Sequence, residues 1–308
     1  MLQRVFRRLV STMLVLWVAS LIAFVILNAA PGDAAQALIG ENASESQLQA
    51  LREAMGLDRP LLARYAGYLS GVLRGDLGES LISGRPVAQL VGERFVSTLI
   101  LSAAAALIAS VLGLLAGLWA AAHQGSWAEL GLMSLMALML SVPGFVLALL
   151  FTLVFSLKLR LLPVAGGGSL AHMVLPALTL AVPMLAMVAR LSRSSVLDAA
   201  RADYVLTAHG KGAPERTVWN RHILKNAVIP VMTIVGLHFG HLLGGAFVVE
   251  TIYGWPGLGR LIVQAVFDKD YPLILGAVLL LAVIYQLFNL LVDIGQGLLD
   301  PRVGGEAV

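Results

Sequence analysis

His238 and His241 stand three residues apart in an otherwise apolar stretch, where imidazoles can hold a metal, carry a proton or exchange hydrogen bonds. On a helix they lie roughly 100–200° round from Gly236, at ~100° per residue. Imidazoles facing mid-bilayer lipid are costly, so the pair faces protein or a wet cavity. A histidine pair without a third ligand type does not make a metal site, and no metal is expected. Gln286, Asn289 and Asp293 repeat at i, i+3 and i+7 and so share one helix face. Asp293, near the end of that helix, is placed to pair with a loop arginine. Glu250 closes another apolar run, either as a contact for a partner or as an interfacial residue.

Other reactive chemistry is excluded by spacing. The only Gly-Lys step, Gly210-Lys211, is followed by Gly212 rather than Ser or Thr, so no Walker A phosphate cradle forms. No His-Glu-x-x-His occurs, and Ser80 in Gly78-Glu79-Ser80-Leu81-Ile82 lacks the closing glycine of a nucleophile elbow. The chain contains 0 cysteines, which removes disulfides, thiolate nucleophiles and Cys-bound zinc. No catalytic residue is assigned, and the chain is not expected to be an enzyme.

The elements that carry these residues are membrane helices. Of 308 residues, 58% are hydrophobic and 13% charged, with a mean hydropathy of +0.86. Soluble domains are ~45–50% apolar and ~25% charged, so composition alone describes an integral membrane protein. A net charge of +3 is too small to suggest nucleic acid as a partner. Apolar runs at Leu9–Ala30, Thr98–Ala122, Leu130–Phe155, Met173–Ala189, Ile229–Val249 and Leu273–Leu291 predict roughly six spanning helices of about 20 residues each. The first is too long for a signal h-region of ~7–15 residues and is expected to stay as a helix. Pro31–Arg94 reads as an extramembrane layer of short amphipathic helices. Pro143, Pro176 and Pro183 fall in or beside the runs, where a kink lining a pathway and a simple packing bend are both open. Arg4, Arg7 and Arg8 place the amino terminus in the cytoplasm, and six crossings return the carboxy terminus there.

Gly236, Gly240 and Gly244 form a small-xxx-small stripe that suits close helix packing. The longest informative polar stretch is Asp198–Pro230, expected to hold two helices around a Gly210-x-Gly212 turn. Ser195 and Asp198 are spaced as a capping box for the first helix, while Pro214 and Glu215 suit the first turn of the second. Arginines and lysines from Arg190 to Lys225 put this loop on the cytoplasmic side.

Asp203-Tyr204, Thr207-Ala208, Lys211-Gly212 and Arg221-His222 through Pro230 closely resemble the cytoplasmic "EAA" loop of ABC importer permeases of the dipeptide/oligopeptide/nickel branch. Pro31-Gly32-Asp33, Gly75-Asp76-Leu77-Gly78, Arg85-Pro86-Val87, GGAFVVETIYGWPGLGRL and NLLVDIGQGLLDPR carry the resemblance along nearly the whole chain. The acidic residue that names the motif is replaced by Leu206, as is usual in this branch, and His209-Gly210 also departs from it.

The resemblance implies an all-α, polytopic type I importer fold. It divides into helix 1–30, outer segment 31–95, a five-helix core 96–300 with coupling loop 190–228, and a tail 301–308. It further implies a permease of the bacterial inner membrane, surrounded by lipid. The partners would be a second permease, two ATP-binding subunits that hold ATP and Mg, and an extracytoplasmic binding protein. The chain itself needs no cofactor. Asp203, Tyr204, Thr207, Ala208, Lys211 and Gly212 would couple to the ATPase, with Ala208 on a close-docking face. His238, His241, Gln286 and Asn289 are candidates for the solute path, although a hydrogen-bonded helix interface is the favoured reading of the histidines. Cargo would be peptides, with glutathione or metal chelates as alternatives. An ion-coupled carrier is the rival from another class, disfavoured by the lack of an internal repeat.

Overall fold

The computed structural model describes residues 2–29, 36, 44–54 and 56–299, with the backbone alone at 2–9, 54 and 291–299. Pro31-Gly32-Asp33, the tail 301–308 and the Asp293 side chain lie outside that description. Among the described residues the regular structure is helical, and β pairing is confined to one bridge between Glu79 and Pro86. In chain order the helices are α1 (Leu2–Ala29), α2 (Glu45–Ala54), α3 (Leu61–Leu73), α4 (Val87–Ala122), α5 (Trp127–Ser141) and α6 (Gly144–Phe151, prolonged by a π-turn to Lys158). They continue with α7 (Leu170–Ala200), α8 (Asp203–Gly210), α9 (Glu215–Gly245), α10 (Phe247–Ile252), α11 (Leu258–Phe267) and α12 (Tyr271–Leu299).

Five of these are long and apolar enough to cross a membrane: α4, α7, α9, Val10–Ala29 of α1 and Tyr271–Leu290 of α12. The expected span Leu130–Phe155, with Pro143 open to a kink or a bend, is the pair α5–α6, bent by 105°, and it completes six crossings if it counts as one. Pro143 is the cause. It has no N–H to continue the ladder, and it forces the preceding residue out of the helical region, so Val142 is extended at ψ 123°. Pro176 and Pro183 do not break α7, but Pro183 leaves the Thr179 carbonyl without its donor from the next turn.

The chain forms two compact units, residues 1–98 with 256–287 and residues 99–255 with 288–308. In the first, Phe24 of α1 stacks edge-on against Tyr65 of α3 with centroids 5.3 Å apart, and the Tyr65 and Ser20 hydroxyls meet at 2.8 Å. Val87, Val91, Leu258, Leu273 and Ala277 make a second apolar cluster where α4 begins beside α11 and α12. Gly276 lies against the Val87 side chain so closely that a Cβ there would collide with it.

In the second unit α7 is the central rod. Leu101, Ala105, Leu175, Ala181, Met184 and Val188 share its main core. A Cβ on Gly113 would stand 2.8 Å from the Leu185 carbonyl, and one on Gly117 2.5 Å from the Ala189 carbonyl. These two glycines of α4, four residues apart, let α4 and α7 touch backbone to backbone. The stripe expected at Gly236, Gly240 and Gly244 behaves differently: Gly240 is buried, yet a Cβ on Gly244 would meet nothing within 4 Å.

Candidate functional site

The polar segment after α7 folds as a tight helical hairpin. The expected capping box at Ser195 and Asp198 does not form there, because α7 continues through both residues to Ala200. Its apolar positions keep helical spacing that far, with Val196 and Ala199 buried. The chain turns at Arg201-Ala202, and Asp203 begins α8, where a carboxylate suits the positive end of the helix dipole. Val205 and Ala208 point inward onto Val196, Ala199, Val218, Ile223 and Ala121. The outer face presents Asp203, Tyr204, Leu206, Thr207 and His209, with Leu206 66% exposed. Gly212 then turns the chain at φ +75°, a conformation only glycine adopts without strain, while the Ala213 N–H closes on the Ala208 carbonyl at 3.1 Å.

Of the residues singled out in this segment, five stand exposed: Asp203, Tyr204, Thr207, Lys211 and Gly212. Ala208 does not. It is 7% exposed and faces its own chain, so a docking partner would meet Tyr204 and Leu206 instead. The buried face fastens α8 to α7 and α9 together.

His238 and His241 sit on α9 with ring centroids 5.7 Å apart. They border a cleft of ≈ 330 Å³ floored by Thr179, Leu180, Pro183 and Met184 of α7 and walled by Gly144 and Phe145 of α6. The histidines therefore face a cavity of the protein, and the Thr179 carbonyl released by Pro183 belongs to its lining residues. Gln286 and Asn289 are half-buried on α12. Glu250, expected at a partner or membrane interface, is 0% exposed and so can touch neither. Near it Tyr253 is buried and donates to the Ala148 carbonyl at 3.0 Å, with the Thr179 hydroxyl also at 3.0 Å.

Sequence reasoning missed the ion pair between Glu129 and Arg193. Ser126 caps α5 by accepting from the Glu129 N–H at 3.1 Å, and Glu129 reaches back to the Gly125 N–H at 2.6 Å. The Ser-x-x-Glu pattern at 126–129 signals that capping arrangement. No sequence pattern announces Arg193, which comes from α7.

Five helices long and apolar enough to span a membrane, a sharply bent helix pair and a polar hairpin between α7 and α9 define a polytopic, all-α membrane protein. Solved structures share this fold: the inward-facing MetNI methionine ABC transporter (TM-score 0.58, 15% identity, covering 69% of this chain and 97% of that one) and the crystal structure of an amino acid ABC transporter with histidines (TM-score 0.54, 20% identity, 68% and 93%). Residues 113–305 match the family described as "Binding-protein-dependent transport system inner membrane component", and residues 1–102 match "Binding-prot-dependent transport system membrane comp, N-term". The chain belongs to this family. It is 39% identical over 303 residues to the glutathione transport system permease protein GsiC of Escherichia coli O6:H1, covering 98% of this chain and 99% of that protein. To the probable peptide ABC transporter permease protein y4tP of Sinorhizobium fredii it is 37% identical over 307 residues, covering 97% and 98%.

Proposed function

We propose that this permease admits peptides of the di- and oligopeptide class, and that the α8 hairpin is where a partner ATPase drives it. The observation that carries the reading is the hairpin itself: exposed on one side, fused to α7 and α9 on the other, and lacking any phosphate-binding loop of its own. Energy must then come from outside the chain. Two ATP-binding subunits, a second permease and an extracytoplasmic binding protein complete the machine, with both termini of this chain in the cytoplasm. His238, His241, Gln286 and Asn289 would line this chain's half of the path. Glutathione, itself a tripeptide, is the favoured specific cargo on the similarity to GsiC.

The test is uptake into liposomes holding the reconstituted complex and its binding protein. Labelled glutathione and a labelled dipeptide should accumulate with internal ATP and not without it. Accumulation driven by an ion gradient alone would replace this reading with an ion-coupled carrier.

A further inference from the structure

We infer that one face of α7 carries a solute path from the histidine cleft to Arg190, and that the Arg190 guanidinium receives an anionic group of the passing solute. The inference rests on the transport reading above and adds the charge class of the cargo. Met187, Arg190, Leu191 and Ser194 floor a second cleft, of ≈ 1030 Å³, between α5 and α7. Together with Thr179, Leu180, Pro183 and Met184 of the histidine cleft, they recur every three or four residues. A single stripe of one helix therefore lines both cavities.

The opposite wall is shared as well. Gly144 and Phe145 of α6 border the first cleft, Ala137 and Leu140 of α5 border the second, and the break at Val142-Pro143 lies between. From Thr179 to Ser194 the stripe runs about 22 Å at ~1.5 Å per residue, most of a ~30 Å hydrocarbon core.

Charge along this stripe is unbalanced toward positive. The one acid at the second cleft, Glu129, is engaged by Arg193 and the Gly125 N–H. Arg190 is exposed and has no ion-pair partner among the described residues. A carboxylate leaving the imidazoles would meet this exposed guanidinium next, whereas a cation would be repelled. Met133 and Met187 give the wall a soft apolar surface that adapts to different side chains. An arginine above an apolar groove also suits an anionic lipid. Continuity of the stripe into the histidine cleft favours a path.

Because the chain has 0 cysteines, single cysteines can be placed with no background from this chain, and labelling is read on its separated band. In the assembled importer in nanodiscs of zwitterionic lipid, Met187→Cys and Ser194→Cys, both partly exposed, test the stripe. Val188→Cys and Ser192→Cys, buried against α4, serve as controls. The probes are a sulfonate-bearing and a trimethylammonium-bearing methanethiosulfonate. Stripe positions should react at least tenfold faster than controls. At Met187→Cys and Ser194→Cys the anionic reagent should lead the cationic one about fivefold after normalisation to free cysteine, the scale of one nearby charge in a wet cleft. Arg190→Gln should erase that preference and Arg190→Lys should keep it. Equal rates for both reagents with Arg190 present would overturn the inference. So would a stripe that reacts only after delipidation, which would assign the groove to lipid. ATP-driven uptake is scored separately on the same purified complexes reconstituted into liposomes: if it persists without charge preference, only the Arg190 inference fails, and if it is absent, the transport reading fails beneath it.

Discussion

Ser80 donates its hydroxyl hydrogen to Asp270 at 2.5 Å, although 190 residues separate them in the chain. The other Asp270 oxygen accepts from the Leu81 N–H at 3.1 Å and, at 3.4 Å, from the Leu273 N–H in the first turn of α12. One carboxylate, 1% exposed, thus caps a spanning helix and pins the Gly78–Val87 turn to its end. Its charge is held by three donors and by the positive end of the helix dipole.

Asp270→Ala should therefore loosen the turn and the helix start together. Stranding the Ser80 and Leu81 donors in a buried site costs about 2–4 kcal/mol, and Asp270→Asn, which keeps one acceptor, costs less. Thermal unfolding in detergent should fall in that order, and limited proteolysis should open new cleavage between Leu81 and Gly84. A variant that melts like the parent with the turn still resistant would show that the carboxylate does not anchor it.

Gly117 of α4 makes a sharper demand. Its missing side chain would stand 2.5 Å from the Ser192 Cβ of α7, and neither atom can swing away because both are tied to helix backbone. Gly117→Ala should cost about 1–3 kcal/mol by overpacking, and Gly117→Leu should abolish a folded permease. Gly244→Ala, into open space, should leave the melting temperature unchanged. Comparing yield and melting of the three variants by fluorescence-detected size exclusion decides it.

That contrast shows how much of the molecule was legible in the sequence. Spans and their order follow from apolar run length, because a bilayer sets a minimum that few soluble helices meet. The hairpin's turn at Gly212 was legible too, since glycine punctuation reports backbone conformation directly. Which glycine stripe receives a neighbour was not: Gly113/Gly117 and Gly240/Gly244 share a spacing, and only tertiary packing distinguishes them. Similarly, Ala208 and Leu206 stand on opposite faces of one short helix, and hydrophobicity alone does not say which is inward. Glu250, at the end of an apolar run, was open to a partner contact or an interfacial place, but burial is a property of the fold around it.

Gly212 sets the angle at which the hairpin returns toward α9. At φ +75° any residue with a Cβ is strained, and a β-branched one most of all. Gly212→Val should cost about 1–3 kcal/mol locally without touching the apolar cluster beneath. Hydrogen exchange should accelerate across 209–215 while the spanning helices keep their protection. Uniform protection in the variant would mean the turn adapts, and its geometry would then have no bearing on coupling.

Leu206 and Ala208 separate coupling from folding. Leu206 is 66% exposed on the outer face of α8, so Leu206→Glu changes only what a partner would meet. Ala208, 7% exposed, packs into the cluster that joins α7, α8 and α9, where a glutamate would bring an unpaired charge among Val196, Val205 and Val218. On the proposed docking of an ATPase at α8, Leu206→Glu should leave expression and melting near the parent while ATP-dependent uptake drops at least tenfold, because a carboxylate would replace an apolar contact there. Ala208→Glu should instead lower stability by about 3 kcal/mol or more and lose uptake through misfolding of the hairpin. Melting temperature and uptake measured on the same purified complexes distinguish the two. Full uptake in the Leu206 variant would move the docking face off α8, and an unperturbed melt in the Ala208 variant would contradict the inward packing.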